Sequence, residues 1–295
     1  MKLIFIHGRE QENIAPAKLK ADWVNALNLG LKKSNLILPE SVKIEFPYYG
    51  DLLKKLTNKT HQNPNILKTS SKRSGGLSIN KTKELEFLKD YLVEIAEEVA
   101  ATSEEKALVE EAKKIQRGPL NWEITHRLLA LLDKSQLIGE FALKRNTLDV
   151  FYYLSLSEFK RQINELVMQK FDDQPCVVVG HSLGSVVGYI ILRDNPNLNV
   201  KKYVTLGSPL GSKTIRNLLR GTRMPSCIQN GSWFNAYDDR DVVALLPLDR
   251  IRFNVQPLIE NKNKVDNHTK NRHGIEGYLD DPDVANEIYR AVVSQ

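Results

Sequence analysis

A run of valines in this sequence leads directly into a Gly-x-Ser-x-Gly motif, and few folds accommodate that combination. Residues 176–180 form a short apolar segment, which is typical of a strand at the centre of a parallel sheet covered on both faces. Residues 180–184 read Gly-His-Ser-Leu-Gly, and residues 184–193 have the pattern of a helix. A serine on such a sharp strand-to-helix turn takes a strained backbone conformation, which projects its hydroxyl above the edge of the sheet. The motif therefore predicts that Ser182 presents its hydroxyl at the end of a central strand.

Strand and helix patterns alternate near both ends of the chain. Apolar or alternating segments bounded by turn residues predict strands, and apolar residues at helical spacing predict helices. This alternation is typical of an α/β fold, with a mostly parallel central sheet flanked by helices. The predicted strands are residues 3–6, 42–46, 176–180, 200–206, 233–237 and 252–258, and the predicted helices are residues 17–33, 157–171, 184–193, 212–220 and 282–293.

Residues 51–148 interrupt the alternation with helical patterns alone. Because this stretch is too long for an ordinary connection, we predict an inserted helical cap, and we use the name cap below for residues 51–148. Residues 1–50 and 149–295 then form the α/β core. Within the cap, Ser103 and Asn121 are the predicted N-caps of two helices.

The net positive charge of the chain comes from one part of the cap. The formal net charge is +6, yet residues 54–83 hold eight Lys and Arg residues and no Asp or Glu, so the rest of the chain is slightly acidic. A run of this kind is typical of a solvated loop. The segment contains no Phe, Tyr or Trp on which a base could stack, which argues against nucleic-acid binding. An anionic surface or partner is the ligand class that the segment favours. Its basic residues are Lys54, Lys55, Lys59, Lys68, Lys72, Arg73, Lys81 and Lys83.

Hydropathy and composition exclude several other classes of protein. No stretch approaches the roughly 18 apolar residues of a membrane span. The apolar run at residues 3–6 is too short for the core of a signal peptide, so we expect a cytoplasmic protein. Two cysteines, Cys176 and Cys227, are too few for a disulfide framework, and Cys176 is expected to be a buried thiol. The six histidines show no paired ligand spacing, so we predict neither a metal nor a cofactor.

A serine nucleophile needs a base, and the base needs an acid that orients it. In folds with this motif the partners follow in the order Ser, then Asp or Glu, then His. Two histidines come after Ser182, and His273 is preferred because His268 lies in a strongly polar run. Asp241 is the preferred acid, because the apolar Val-Val-Ala stretch after it would fix its side chain. Asp238 lies nearer to the end of the predicted strand and is the alternative.

Acyl transfer also needs two N–H donors for the oxyanion of the tetrahedral intermediate. The amide of Leu183, just after the motif serine, is the first predicted donor. The loop after the first strand is expected to supply the second, with Arg9 preferred and Glu10 as the alternative. His7 and His181 are expected to pack and form hydrogen bonds in their turns, and neither is predicted to be the base.

Taken together, these residues resemble the α/β-hydrolase superfamily, over about residues 1–50 and 151–295. The acid loop is similar to that of the lipase and phospholipase branch, in which the later Asp, before Val, is the acid of the triad. This similarity supports Asp241. The segments that carry the resemblance are Ile6-His-Gly8, Gly180-His-Ser-Leu-Gly184, Thr205-Leu-Gly-Ser-Pro209, Trp233-Phe-Asn235, Asp241-Val-Val-Ala and the loop that contains His273.

The resemblance implies an α/β-hydrolase fold and a serine hydrolase that cleaves a carboxylic ester through an acyl-enzyme. Its expected substrate is an ester or lipid-like small molecule. Amidases, thioesterases and acyltransferases use the same triad, so the sequence leaves these activities open. A hypothesis of another class is an interaction or effector subunit, in which the cap binds a partner and the hydrolase core is secondary.

Overall fold

A six-stranded parallel sheet forms the centre of the molecule. The computed structural model describes residues 1–8, 14–62, 81–115, 120–134, 140–270 and 272–294. The strands are β1 (Lys2–Ile6), β2 (Lys43–Glu45), β3 (Cys176–His181), β4 (Val200–Leu206), β5 (Trp233–Ala236) and β6 (Glu260–Lys262). Their order across the sheet is β2-β1-β3-β4-β5-β6, and every neighbouring pair is parallel. The predicted α/β class with a parallel sheet is confirmed.

The carboxyl ends of the central strands lie at one edge of the sheet. Ile6 of β1 lies opposite Gly180 of β3. His181 of β3 lies opposite Leu206 of β4, which in turn lies opposite Ala236 of β5. The loops that follow these strands therefore converge, at the edge where open parallel sheets bind their ligands.

Helices cover both faces of the sheet. The helices are α1 (Pro16–Lys32), α2 (Gly50–Gln62), α3 (Lys81–Val99), α4 (Ser103–Lys114), α5 (Leu120–Lys134), α6 (Glu140–Ser155), α7 (Ser157–Met168), α8 (Leu183–Asp194), α9 (Lys213–Leu218), α10 (Ile275–Leu279) and α11 (Pro282–Val293). On one face, α1, α10 and α11 cover Leu3 and Phe5 of β1. On the other, α7 and α8 belong to the cluster that contains Ile4 and Ile6. The alternation of side chains along a strand thus fills two separate apolar layers.

The cap contains helices and no strand in its described part. Its apolar side chains belong to the same hydrophobic cluster as α7 and α8, so the cap and the core share one packed interior. The predicted boundary at residue 149 falls inside α6, a helix that we did not predict and that passes from the cap into the core. Of the helices that the structure describes, none is both long enough and apolar enough to cross a bilayer.

The first part of the basic segment is a helix and not the loop that its charge predicted. Leu53, Leu56 and Thr60 of α2 are buried at spacings of three and four residues, which is the pattern of an amphipathic helix. Their burial outweighs the local charge, and the lysines of α2 lie on the solvent side. The exposed lysines of the segment are Lys54, Lys55, Lys59, Lys81 and Lys83, whereas Lys68, Lys72 and Arg73 lie outside the described residues.

Residues 252–258 do not form the predicted strand, and the sixth strand is instead Glu260–Lys262. Phe253 and Val255 are buried in the cluster on the α8 side of the sheet, which accounts for the strand-like alternation. Pro257 has no N–H to donate to a ladder of hydrogen bonds. The strand consequently begins only after this proline.

Both predicted N-caps in the cap are wrong, because each of the two residues lies inside its helix. The helix at Ser103 is capped by Thr102, whose hydroxyl accepts from Glu105 N at 3.1 Å. Glu105 Oε2 in turn accepts from Thr102 N at 3.0 Å, which completes a reciprocal capping box. The next helix already includes Leu120, so Asn121 lies within its first turn.

Candidate active site

Ser182 lies on the turn between β3 and α8 in a strained conformation, with φ 53° and ψ −126°. Such a conformation costs about 1–3 kcal/mol for a residue other than glycine and persists only where the surroundings hold it. Two backbone hydrogen bonds hold it here, from Ser182 N to Leu206 O at 3.1 Å and from Ser185 N to Ser182 O at 2.9 Å. The turn therefore has the backbone that the motif predicted.

Glycines on both sides of Ser182 allow the strand and helix to approach each other. A Cβ atom at Gly184 would lie 2.0 Å from Ile6 O, and one at Gly180 would lie 2.8 Å from Gly184 O. Both distances are shorter than a non-bonded contact, and both neighbours are backbone atoms. A side chain at either position would force this turn apart.

His273 and Asp241 form a continuous chain of hydrogen bonds with Ser182. Ser182 Oγ donates to His273 Nε2 at 2.9 Å, and His273 Nδ1 donates to Asp241 Oδ2 at 2.7 Å. Asp241 comes from the loop after β5 and His273 from the loop before α10. The structure thus brings together the three side chains that the sequence singled out as nucleophile, base and acid.

Two further donors support the buried carboxylate of Asp241. Tyr278 Oη donates to Oδ2 at 2.6 Å, and Val243 N donates to Oδ1 at 3.0 Å. Burial, and secondarily the charge of Asp241, raise the pKa of Tyr278 well above its ordinary value, so this phenol remains a neutral donor. No sequence pattern points to Tyr278, which lies 37 residues beyond its partner.

Asp238 and His268, the alternative acid and the other histidine after Ser182, have partners outside the chain of hydrogen bonds from Ser182 to Asp241. Asp238 accepts from the guanidinium of Arg240 at 2.8 Å and from Asn267 N at 2.9 Å, so its carboxylate holds two loops together. His268 is largely exposed, and its Nδ1 lies 3.7 Å from a carboxylate oxygen of Asp280.

His181 contacts His273, the predicted base, through a hydrogen bond and through its ring. Its Nε2 donates to His273 O at 2.8 Å, and the two ring centroids are 4.8 Å apart. Burial lowers the pKa of His181 well below its ordinary value, so the imidazole is neutral. His7 accepts from Tyr49 N through Nε2 at 3.0 Å and forms a 2.8 Å contact with Gly8 O through Nδ1. Both histidines form hydrogen bonds in their turns, as predicted.

The loop after β1 reaches the turn that carries Ser182. A Cβ atom at Gly8 would lie 2.8 Å from Ser182 Cβ and 3.4 Å from Ser182 Oγ, so only a glycine fits there without displacement. Leu183 is the first residue of α8, where an amide has no partner within its own helix. Arg9, the predicted second oxyanion donor, and its alternative Glu10 lie outside the described residues.

Two cap helices close over Ser182. A small cavity lies between the core and the helices α3 and α6, and it has room for about one water molecule. Its lining comprises Ser182, Pro209, Ile215 and Val243 from the core, Tyr91 from α3, and Asn146, Thr147 and Val150 from α6.

Of the described residues that line this cavity, Asn146 is the one with an amide side chain. Its side chain is buried, and no hydrogen-bond partner for its Oδ1 lies among the described residues. A buried acceptor without a partner costs about 1–3 kcal/mol. Asn146 was not among the predicted site residues, because the helix that carries it was not predicted.

A carboxylate in the cap fixes α3 to the core beside the cavity. Glu94 accepts four hydrogen bonds at the start of α9, from the Ser212 hydroxyl, Lys213 N, Thr214 N and the Thr214 hydroxyl, over 2.6–2.9 Å. One turn further along α3, Glu98 pairs with the guanidinium of Arg252 at 2.8 Å. These contacts hold the cap helix in place over Ser182.

Metal-ligating side chains do not converge at this site in the described part of the chain, where no group of three His, Cys, Asp or Glu residues could hold an ion. Cys176 is buried in β3, as predicted, and burial raises the pKa of its thiol to about 12.

Comparisons of the chain with protein-family models, with curated proteins and with solved structures gave no match.

Proposed function

We propose that the chain is a serine hydrolase of the α/β-hydrolase fold that cleaves a carboxylic ester in the manner of lipases and esterases. The observation that carries this proposal is the chain of hydrogen bonds from Ser182 Oγ through His273 to Asp241, at 2.9 and 2.7 Å. These distances are those expected of a nucleophile, its base and the acid that orients the base.

The position of the three residues supports the same fold. They follow in the order Ser, Asp, His, and they come from the turn after β3, the loop after β5 and the loop before α10. The positive φ of Ser182 and the close approach of Gly184 to β1 are the features of a nucleophile elbow.

The proposed reaction proceeds through an acyl-enzyme. Ser182 Oγ attacks the ester carbonyl carbon as its proton passes to His273 Nε2, and the charge of Asp241 stabilises the imidazolium. The Leu183 amide and the predicted Arg9 amide stabilise the oxyanion. The tetrahedral intermediate then releases the alcohol, which takes the proton from His273. In the second half of the reaction His273 activates a water molecule, which releases the acid and restores Ser182.

Substrate binding requires more space over Ser182 than the described residues leave. The cavity there has room for about one water molecule, so an ester needs additional space between the core lining and the cap helices α3 and α6. The exposed lysines of the basic segment lie on α2 and at the start of α3, where they favour an approaching anionic surface or partner.

The assembled triad favours catalysis over the alternative of an interaction subunit with a secondary hydrolase core. The test is hydrolysis of a panel of esters of different acyl-chain length by wild-type protein and by Ser182→Ala. We expect wild type to turn over at least one ester and Ser182→Ala to lose on the order of 10⁶ in kcat. Asp241→Asn should lose about 10⁴.

Ser103→Ala, a change at an exposed serine of α4, is the matched control and should retain full activity. Turnover by folded Ser182→Ala at the wild-type rate would exclude Ser182 as the nucleophile. A wild-type protein without activity on any ester of the panel would favour the interaction subunit.

A further inference from the structure

The cavity over Ser182 has one wall from the core and one wall from the cap helices. Ser182 lies on the core side, and Asn146 of α6 lies on the other. A substrate that reaches Ser182 between these walls must therefore pass against Asn146.

The hydroxyl groups that line this cavity all donate to other acceptors. Thr147 donates to Leu143 O at 2.8 Å, Tyr91 to Val243 O at 3.4 Å, and Ser182 to His273 Nε2 at 2.9 Å. Each hydroxyl has a single proton. The lining consequently offers no hydroxyl proton to the buried Oδ1 of Asn146.

We infer that Asn146 is a substrate-binding residue and that the substrate itself supplies the missing donor. The substrate class is then an ester that carries a hydroxyl or amide N–H within a few bonds of the scissile carbonyl. Short aliphatic groups of the same substrate would contact the apolar part of the lining, formed by Val150, Pro209, Ile215 and Val243. This inference rests on the proposed ester hydrolase activity.

The discrimination arises from the cost of leaving Asn146 without a partner. An ester with a donor satisfies Oδ1, whereas an analogue without the donor displaces water and leaves the oxygen buried and unpaired. We expect wild-type kcat/KM to favour the ester with the donor by about 10-fold or more.

Two pairs of esters test this inference, with hydrolysis followed by titration of the released acid. In the first pair the donor is on the acyl side, ethyl 2-hydroxypropanoate against ethyl 2-methoxypropanoate. In the second it is on the alcohol side, 2-hydroxyethyl butanoate against 2-methoxyethyl butanoate. Methylation removes the donor and keeps the oxygen, so the pair that shows the preference identifies the side of the ester that faces Asn146.

Asn146→Leu should abolish the preference, because leucine has a similar size and no acceptor. It should also raise the melting temperature, since it removes a buried polar group without a partner. Asn146→Ala is the second variant, in case leucine does not pack. Lys144→Ala, at an exposed position of the same helix, is the control and should keep the wild-type preference.

Ester turnover without a preference in either pair would overturn this inference and leave the proposed function intact. A preference that persists in folded Asn146→Leu and Asn146→Ala would also overturn it. Absence of turnover on all four esters, together with no reaction of wild type with a fluorophosphonate, would instead count against the proposed function.

Discussion

The carboxylate of Asp241 is completely buried, yet three donors surround it. His273 and Tyr278 donate to one of its oxygens, and Val243 N donates to the other. A buried charge is tolerated only with such partners, and the partners also fix its orientation. In the proposed mechanism this carboxylate holds His273 against Ser182, so the phenol of Tyr278 positions the base through Asp241.

Tyr278→Phe should therefore reduce catalysis without unfolding the protein. We expect kcat/KM to fall about 10-fold through kcat, because the loss of one hydrogen bond loosens the carboxylate that orients His273. The pKa of Tyr278 is raised, so the wild-type phenol keeps its proton near pH 10 and should cause no loss of activity there. Initial rates at several ester concentrations from pH 6 to 10 check both points.

Tyr289→Phe, at a partly buried tyrosine of α11, is the control and should match wild type. A fully active Tyr278→Phe would show that Asp241 needs no support from the phenol.

The sequence predicts the residues whose roles depend on short-range patterns. Ser182 is identified by the motif around it, and His273 and Asp241 by their order and their loops. Tyr278 and His181 are different, because their hydrogen bonds to Asp241 and His273 exist only after distant segments have packed. Asn146 likewise joins the cavity lining only through the packing of α6. No spacing in the sequence identifies such contacts.

The helix α3 carries the main connection between the cap and the core beside the site. The half-buried carboxylate of Glu94 accepts hydrogen bonds from two N–H groups and two hydroxyls at the start of α9. Although Glu94 belongs to α3, it therefore caps the N-terminus of α9. Tyr91, one turn earlier on the same helix, lines the cavity over Ser182. The position of this cap helix thus depends on the start of α9.

Glu94→Ala should destabilise the protein by about 2 kcal/mol, because it leaves the start of α9 without its acceptor. Urea unfolding measures the change, and amide hydrogen exchange should increase in α9. Glu97→Ala is the comparison variant on the same helix. Glu97 pairs with Lys113 at the surface, so its loss should cost less than about 1 kcal/mol. Equal effects of the two variants would contradict a special role for Glu94.

Helices and strands can be predicted from the sequence where the spacing of apolar residues and the flanking turn residues indicate the same element. The strands of the core satisfy this condition, and five of the six predicted strands are present. The prediction fails at residues 252–258, where buried side chains alternate in a segment that pairs with no strand. It also fails at α2, where the lysines obscure the helical spacing of the buried residues Leu53, Leu56 and Thr60. Both failures concern segments whose structure depends on what they pack against.

The two apolar layers of the molecule contain most of the tyrosines of the chain. Seven of the ten tyrosines are buried, and burial raises the pKa of each. These residues are Tyr49, Tyr91, Tyr152, Tyr153, Tyr189, Tyr203 and Tyr278. In the unfolded chain the same phenols ionise near pH 10. The folded state therefore holds more protons than the unfolded state above that pH.

Stability should consequently fall steeply as the pH rises above about 10. Above about pH 10 each buried tyrosine lowers the unfolding free energy by up to about 1.4 kcal/mol per pH unit. Below about pH 10 its stabilising contribution is fully present. Melting temperatures at pH 8, 9, 10 and 11 check this. Tyr153→Phe should weaken the dependence, and Tyr289→Phe should not. A melting temperature that stays constant up to pH 11 would show that these phenols ionise in the folded state.

The reactivity of Ser182 is tested most directly by locating the adduct of a fluorophosphonate on the chain. Wild-type protein is treated with the reagent and digested, and the modified peptide is identified by mass spectrometry. We predict one phosphonyl group per chain, on Ser182, and no modification of Ser182→Ala. An unmodified but folded wild-type protein, or an adduct on another residue, would contradict the proposed catalytic role of Ser182.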